Sequence, residues 1–89
     1  MMKLIIAIIK DEDNDSVSRA LTKENFRVTF IASTGGFLRS GRSTLLIGVE
    51  DGEVEKALDV IRSSCKKADD SKEKRATIFV LNVNQFTQL

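Results

Sequence analysis

Three short runs of this chain are apolar on both of the faces that a β-strand presents, and they limit the possible folds most strongly. They cover residues 4–9, 44–49 and 76–83. Successive side chains of a strand point to opposite faces, so a run of this kind is typical of a strand that is covered on both sides. The chain therefore needs cover for both faces of one sheet.

Residues 27–33 form a fourth predicted strand, in which apolar and polar positions alternate. One face would carry Val28 and Phe30, and the other would carry Arg27 and Thr29. We expect the apolar face to pack against the helices. The face with Arg27 then remains free of the helices and available for another contact.

Two helices are predicted between these strands. The first runs from about residue 16 to residue 24, with the acidic stretch 11–15 as its cap and Asn25 as its terminator. The second follows Asp51, its expected cap. A charged loop at 66–74 comes after it. The apolar positions of the second helix have clear helical spacing, at Val54, Ala57, Leu58, Ile61 and Cys65.

The predicted order is β-α-β-β-α-β, an α+β ferredoxin-like sandwich with an antiparallel four-stranded sheet, in a single domain spanning residues 1–89. Two helices cover one face of such a sheet. The other apolar face is too large to stay exposed on a monomer, and self-association is its simplest cover. With one cysteine and no histidine, no internal disulfide or metal site is expected to add stability to this small chain.

Composition also argues against several functions. The net charge of +1 lacks the basic excess of a non-specific nucleic-acid binder, and no apolar run is long enough to span a membrane. The early apolar run is too short for a signal peptide, so a cytoplasmic location is expected. Without histidine the commonest general base is missing, and no enzymatic activity or cofactor is expected. Cys65 is interpreted as a buried structural thiol.

A glycine-rich segment at residues 34–43 separates the second and third strands. It holds three of the five glycines and two arginines, Arg39 and Arg42, with no acidic residue. Glycines let a ligand approach the backbone, and exposed amides beside guanidinium groups suit a phosphate. The apolar pair Phe37-Leu38 in its middle needs a packing partner, such as the fold, another subunit or a flat ring.

Arg27 and Thr29 lie on the free face of the second strand, and Arg39 and Arg42 follow just beyond it. This arrangement favours a ligand with both a phosphate and a flat ring. An equally simple interpretation is that these are ordinary surface arginines flanking a hairpin turn.

At these residues the chain resembles the cyclic di-AMP receptor family, a PII-like group of small trimeric signalling proteins. The resemblance covers about two thirds of the chain, and its most specific part is the Thr-Gly-Gly-Phe-Leu-Arg segment. The matching stretches are residues 3–8, 25–29, 34–41, 76–81 and 86–88.

The resemblance implies a homotrimer with sheets facing inward and cyclic di-AMP bound in clefts between neighbouring subunits. Arg27 would hold a phosphate, while Asn25 and Thr29 would make polar contacts. Gly48 would leave room for the base. The remaining implied ligand-binding residues are Gly36, Phe37 and Leu38 around the adenine, Arg39 in the motif, and Phe79 and Gln88 from the last strand and tail.

Two departures from the family pattern leave alternatives open. Arg42 replaces the usual asparagine, and the 66–74 loop is much shorter than the family's long loop. The chain could therefore bind another nucleotide, such as ATP or a different cyclic dinucleotide. A small hydrolase of the acylphosphatase type is a third alternative, but it needs an anion loop after the first strand, where this chain has residues 11–13. The sequence does not identify a downstream partner.

Overall fold

The computed structural model describes residues 1–31, 41–65 and 76–89, and folds them as a four-stranded antiparallel sheet with two α-helices. The strand order is β2-β3-β1-β4, which confirms the predicted ferredoxin-like α+β fold. The elements in chain order are β1 (Met2–Lys10), α1 (Asp11–Lys23), β2 (Arg27–Ile31), β3 (Arg42–Glu50), a 3-10 turn (Asp51–Glu53), α2 (Val54–Ser64) and β4 (Ala76–Asn82).

One face of the sheet packs against both helices and forms the core. Ile5 and Ile47, on the two central strands, are 0% exposed and lie directly opposite each other. Of the predicted apolar positions of α2, Ala57 and Ile61 are buried, while Val54, Leu58 and Cys65 are partly buried against the core. The buried apolar residues are Ile5, Ala7, Ile9, Val17, Leu21, Phe26, Leu45, Ile47, Val49, Ala57 and Ile61. Alternation along the strands therefore directs every second side chain of β1 and β3 into this core.

The start of α1 differs from the prediction. The helix begins at Asp11, directly after β1, and no side chain caps it. The acidic residues Asp11, Glu12 and Asp13 form its first turn instead of preceding it. Negative charge is favourable both within the first turn of a helix and just before it, because the unpaired backbone amides of the helix start lie close to both positions. The expectation of an acidic cap at 11–15 was wrong.

The end of α1 at Asn25 was predicted correctly. Asn25 has a φ of 68°, in the left-handed region. Its amide donates to the Thr22 carbonyl at 2.9 Å, and the Phe26 amide donates to the Leu21 carbonyl at 3.0 Å. These two bonds define a Schellman motif, and the buried Phe26 and Leu21 belong to the same apolar cluster. The motif fixes the direction in which the chain enters β2.

Asp51 does not cap α2, contrary to the prediction. It opens the 3-10 turn, and α2 begins at Val54 without a side-chain cap. The Asp51 carboxylate pairs instead with Lys3 Nζ at 3.4 Å and with the amino group of Met1 at 3.4 Å. Partial desolvation alone would raise the pKa of Asp51, but these two cations lower it overall. Asp51 thus joins the start of β1 to the end of β3.

The opposite face of the sheet, here called the open face, is apolar but has no cover among the described residues. Phe79 and Leu81 on β4 are 50% and 46% exposed. Apolar side chains of the central strands beside them are half-buried. The members of this surface, placed by the strand register, are Leu4, Ile6, Ile8, Ile31, Leu46, Phe79 and Leu81. An apolar surface of this kind is typical of an interaction site.

Candidate functional site

Asn25, Arg27, Thr29 and Gly48 come together where β2 meets β3. Arg27 lies opposite Gly48 in the antiparallel register, and Thr29 lies opposite Leu46. Ile47 and Val49, on either side of Gly48, point into the core, so Gly48 and its neighbours Arg27 and Thr29 belong to the open face. The predicted polar residues therefore border the exposed apolar surface.

The side chain of Arg27 forms no hydrogen bond or ion pair with any described residue. The other arginines among the described residues all have a partner. Arg19 pairs with Asp15 at 3.2 Å and Arg62 pairs with Asp59 at 2.6 Å. Arg42 also has an interaction partner. An exposed guanidinium with all its donors available is suited to a bidentate contact with a phosphate.

Asn25 has both a structural and a possible binding role. Its left-handed backbone completes the Schellman motif, and asparagine is one of the few side chains that accept this conformation. Its exposed side chain makes no hydrogen bond within the described residues and precedes Arg27 by two positions. The end of α1 therefore places the Asn25 side-chain amide close to the Arg27 guanidinium, and neither group has a hydrogen-bond partner among the described residues.

A cleft of about 410 Å³ lies beside these residues, at the edge between β2 and α2. Asn25, Arg27 and Gly48 line it together with three carboxylates, those of Glu24, Glu50 and Glu53. The sequence reasoning missed this acidic wall, because Glu24 is far along the chain from Glu50 and Glu53. Since the carboxylates repel an anion, a phosphate would reach Arg27 from the open face rather than from this side.

Lys56 reduces the charge of the acidic wall. Its Nζ lies 3.3 Å from a carboxylate oxygen of Glu24 and 5.9 Å from the centre of the Phe26 ring. This lysine is therefore committed to contacts within the fold.

The space in front of Gly48 is almost empty. A Cβ atom placed on Gly48 would meet one heavy atom of the described residues within 4 Å, the Cε of Met2 at 3.3 Å. Met2 lies opposite Glu50, one pair further along the same face. Sequence reasoning did not find Met2, because its proximity to Gly48 depends on the register of β1 against β3.

Phe79 is not near Arg27 or Thr29 within one subunit. Thr29, Leu46, Ile6 and Phe79 occupy one row across the open face. Phe79 is thus three strand spacings from Thr29, about 14 Å at the usual separation. Gln88 is exposed in the tail that follows β4. One subunit therefore presents two separate groups of the predicted residues.

The glycine-rich segment is described only at its end. Gly36, Phe37, Leu38 and Arg39 lie outside the described residues. Gly41 has a φ of +82°, a conformation that requires glycine, and its carbonyl accepts a hydrogen bond from the Asp11 amide at 2.9 Å. Ser43 Oγ donates to Asp11 Oδ1 at 2.5 Å. Both bonds attach the end of this segment to the start of α1.

Arg42 is the first residue of β3 and lies opposite Lys10. It is six residues from Gly48 along the strand, a distance of about 20 Å. The expected convergence of Arg42 with Arg27 and Thr29 is therefore not found within one subunit. The hairpin places these groups at opposite ends of the sheet because β3 runs its full length between them.

The part of the chain that the structure describes contains no metal-binding cluster and no helix that could span a membrane. No group of three or more His, Cys, Asp or Glu side chains in residues 1–31, 41–65 and 76–89 is arranged to hold a metal ion. Neither described helix has the length and apolar character that crossing a membrane requires. The side chain of Cys65 is half-buried and packs against the core.

Comparison with known families assigns the chain. The model of a family described as cyclic-di-AMP receptor matches residues 2–73, which is most of the sequence. The chain belongs to the cyclic di-AMP receptor family. The match includes Asn25, Arg27, Thr29 and Gly48 and the whole glycine-rich segment. Phe79 and Gln88 lie beyond the end of the match.

A solved structure closely resembles this member of the cyclic di-AMP receptor family. It is the crystal structure of a functionally unknown protein from Pediococcus pentosaceus ATCC 25745, with 33% sequence identity and a TM-score of 0.82. The similarity covers 99% of this chain and 97% of that one. The two chains are therefore almost equal in length, and the Pediococcus protein has no long insertion relative to this receptor-family member.

Proposed function

We propose that this chain is a non-enzymatic signalling receptor that binds cyclic di-AMP in clefts between the subunits of a homotrimer. The observation that carries this proposal is Arg27, whose side chain has no partner among the described residues and which lies between Asn25 and Thr29 at the border of the open face. A guanidinium beside an apolar surface offers a phosphate and a flat base two different kinds of contact. The family assignment supplies the identity of the ligand.

Two observations support a cleft between subunits. The open face is a connected apolar surface that a second copy of the chain would cover, and covering it would add stability to a small core. The predicted binding residues form two groups about 14 Å apart, around Thr29 and around Phe79. A ligand that contacts both groups is accommodated more easily when each comes from a different subunit.

Within this proposal Arg27 binds a phosphate, and Asn25 and Thr29 donate hydrogen bonds beside it. Gly48 leaves space for a base. Phe79 and Gln88 close the cleft from the other strand edge. The glycine-rich segment contributes Gly36, Phe37, Leu38 and Arg39 around the adenine.

The hydrolase alternative has little support in the fold. An acylphosphatase-type site needs an arginine-bearing loop after the first strand. Here α1 begins at Asp11 immediately after β1, and its first turn is acidic. An anionic substrate would be repelled at this position.

Calorimetry with cyclic di-AMP tests the ligand, at about 50 μM subunits so that a micromolar affinity is detected. Replacing Arg27 by Ala removes a charge-assisted contact and should weaken binding by about 1.5–3 kcal/mol. Arg19→Ala is the matched control, because Arg19 is paired on the outer surface of α1 and should leave the affinity unchanged. Absence of heat with the unaltered chain would reject cyclic di-AMP as the ligand.

Another nucleotide remains the alternative, and Arg42 is the residue that favours it. Arg42 stands where the family usually has asparagine, and a guanidinium at that position can pair with a phosphate of a different nucleotide. A competition experiment with ATP and other cyclic dinucleotides against bound cyclic di-AMP separates the two functions. Tighter binding of ATP would favour the alternative.

A further inference from the structure

The described residues do not explain why position 48 is a glycine. Its φ lies outside the left-handed region, unlike that of Gly41, so the backbone conformation does not require glycine. Packing does not require it either, because an added Cβ would meet only the tip of Met2 within 4 Å. A glycine inside a strand weakens the strand, and often marks the close approach of a ligand or another backbone.

Met2 combines a fixed backbone with a movable tip. Its backbone pairs with β3, and its carbonyl accepts a hydrogen bond from the Val83 amide at 3.0 Å. The preceding residue is held as well, since the Asp51 amide donates to the Met1 carbonyl at 3.1 Å. The unbranched thioether side chain, in contrast, has several accessible conformations and adapts to the shape of its neighbours.

The surroundings of Gly48 suit a flat ring. In the row across the open face, Arg27 lies on one side of Gly48 and Leu4 on the other. Leu46, two residues earlier on β3, is half-buried on the same face. A ring placed on Gly48 would therefore touch apolar groups while remaining next to the guanidinium. Met2 would lie at the edge of that ring, where the sulfur of methionine makes favourable contacts with aromatic systems.

We propose that Met2 is a further ligand-contacting residue of this receptor. Its thioether tip covers Gly48 in the free subunit, moves aside when a purine ring enters, and then packs against the edge of that ring. This inference rests on the proposed function, because the ring is that of the nucleotide proposed above. It adds a residue that adjusts the width of the base pocket.

The direct test uses the methyl groups of the two methionines as reporters. The full chain is labelled with ¹³C at the methionine methyl groups, which gives two signals, and Met2→Leu identifies the signal of Met2. Addition of cyclic di-AMP should shift the Met2 methyl signal through the ring current of the base. The exposed Met1 methyl is the internal control and should keep its position. An unchanged Met2 signal at saturating ligand would overturn the inference.

Affinity measurements on variants give an independent test. Met2→Ala should weaken binding roughly 2- to 12-fold, the range expected for a sulfur–aromatic contact. Met2→Leu keeps most of the volume but lacks the sulfur, so its affinity should lie between those of the unaltered chain and Met2→Ala. Unchanged or tighter binding by Met2→Ala would contradict the proposed contact.

Gly48→Ala tests the space itself. The fold should tolerate the new methyl group, because Met2 Cε can move away from it. Binding should fall at least tenfold, since the methyl group occupies the position of the ring. Normal binding by Gly48→Ala would show that this space is not used.

The failure of this inference differs from the failure of the proposed function. If the unaltered chain gives no heat with cyclic di-AMP, the proposed ligand is wrong. A second outcome is that the unaltered chain binds cyclic di-AMP and Arg27→Ala weakens binding, but the Met2 methyl signal does not shift and Met2→Ala binds normally. In that case the ligand is right and the role of Met2 is wrong.

Discussion

The two faces of the sheet have similar apolar residues but opposite surroundings. On the helix face Ile5 and Ile47 are fully buried, and their apolar character is explained by packing within one subunit. On the open face Phe79 and Leu81 remain about half exposed, and the described residues offer them no cover. Residues of the same type thus pack within one subunit on one face, and on the other they form the surface proposed for association. Substitutions on the two faces should therefore affect different measurements.

Leu46→Lys should have the largest effect and act on assembly. Leu46 lies on the open face between Thr29 and Ile6, so a lysine there would be buried without a partner in the proposed trimer. Burial of an unpaired charge costs several kcal/mol, enough to separate the subunits. Light scattering should report trimers for the unaltered chain and monomers for the variant. A monomer in both samples would remove the basis of the proposed cleft.

Ile47→Ala, one residue further along β3, should act on folding instead. Ile47 is 0% exposed on the helix face, and its truncation should lower the free energy of unfolding by about 2–5 kcal/mol. Denaturant unfolding measures this loss. Val80→Ala in the same row is the control, because Val80 is 41% exposed and should lose less. Equal losses at the two positions would contradict the description of the core.

Asn25 connects the helix face to the binding residues, and its substitutions separate its two roles. Asn25→Ala replaces asparagine, which adopts left-handed backbone conformations comparatively often, by a residue that rarely does so, and at a φ of 68° this should cost about 1 kcal/mol of stability. Asn25→Gly should keep or improve stability, because glycine accepts this conformation. Both variants should bind cyclic di-AMP more weakly if the amide contacts the ligand. Normal binding by Asn25→Gly would restrict Asn25 to its structural role.

Asp51 should give the smallest effect, and this effect depends on pH. Its pKa in the folded chain is below the ordinary value of 3.8, so the ionised carboxylate stabilises the fold at neutral pH. This contribution is lost as the pH falls through the lowered pKa. Unfolding curves of Asp51→Asn and the unaltered chain should therefore differ slightly near pH 6 and coincide well below pH 3.8. A difference that grows on acidification would contradict the ion pairs with Lys3 and Met1.

The sequence predicted the elements of the fold well, because periodicity reports burial directly. The spacing of Val54, Ala57 and Ile61 predicted α2, and Asn25 marked the end of α1. The starts of both helices were misplaced, since an acidic residue is equally favourable before a helix and within its first turn. Asp11 and Asp51 are the residues that misled the prediction.

The candidate site was predicted from the sequence less completely, because strand register is a property of the folded chain. Family resemblance pointed to Arg27, Thr29 and Gly48, and the register places them side by side. The same register separates Phe79 from Thr29 and Arg42 from Arg27, which spacing along the chain does not reveal. The proximity of Met2 to Gly48 cannot be predicted from the sequence pattern, since the two residues are far apart along the chain.

The Schellman motif at the end of α1 makes the proposed phosphate contact sensitive to damage far from the ligand. Phe26 anchors the motif in the core against Leu21, and Arg27 is the very next residue. Truncating Leu21 would create a cavity beside Phe26, weaken its packing and increase the mobility of the Arg27 guanidinium. Such a variant would then bind cyclic di-AMP more weakly because of a change at the helix end, although every group proposed to contact the ligand is still present.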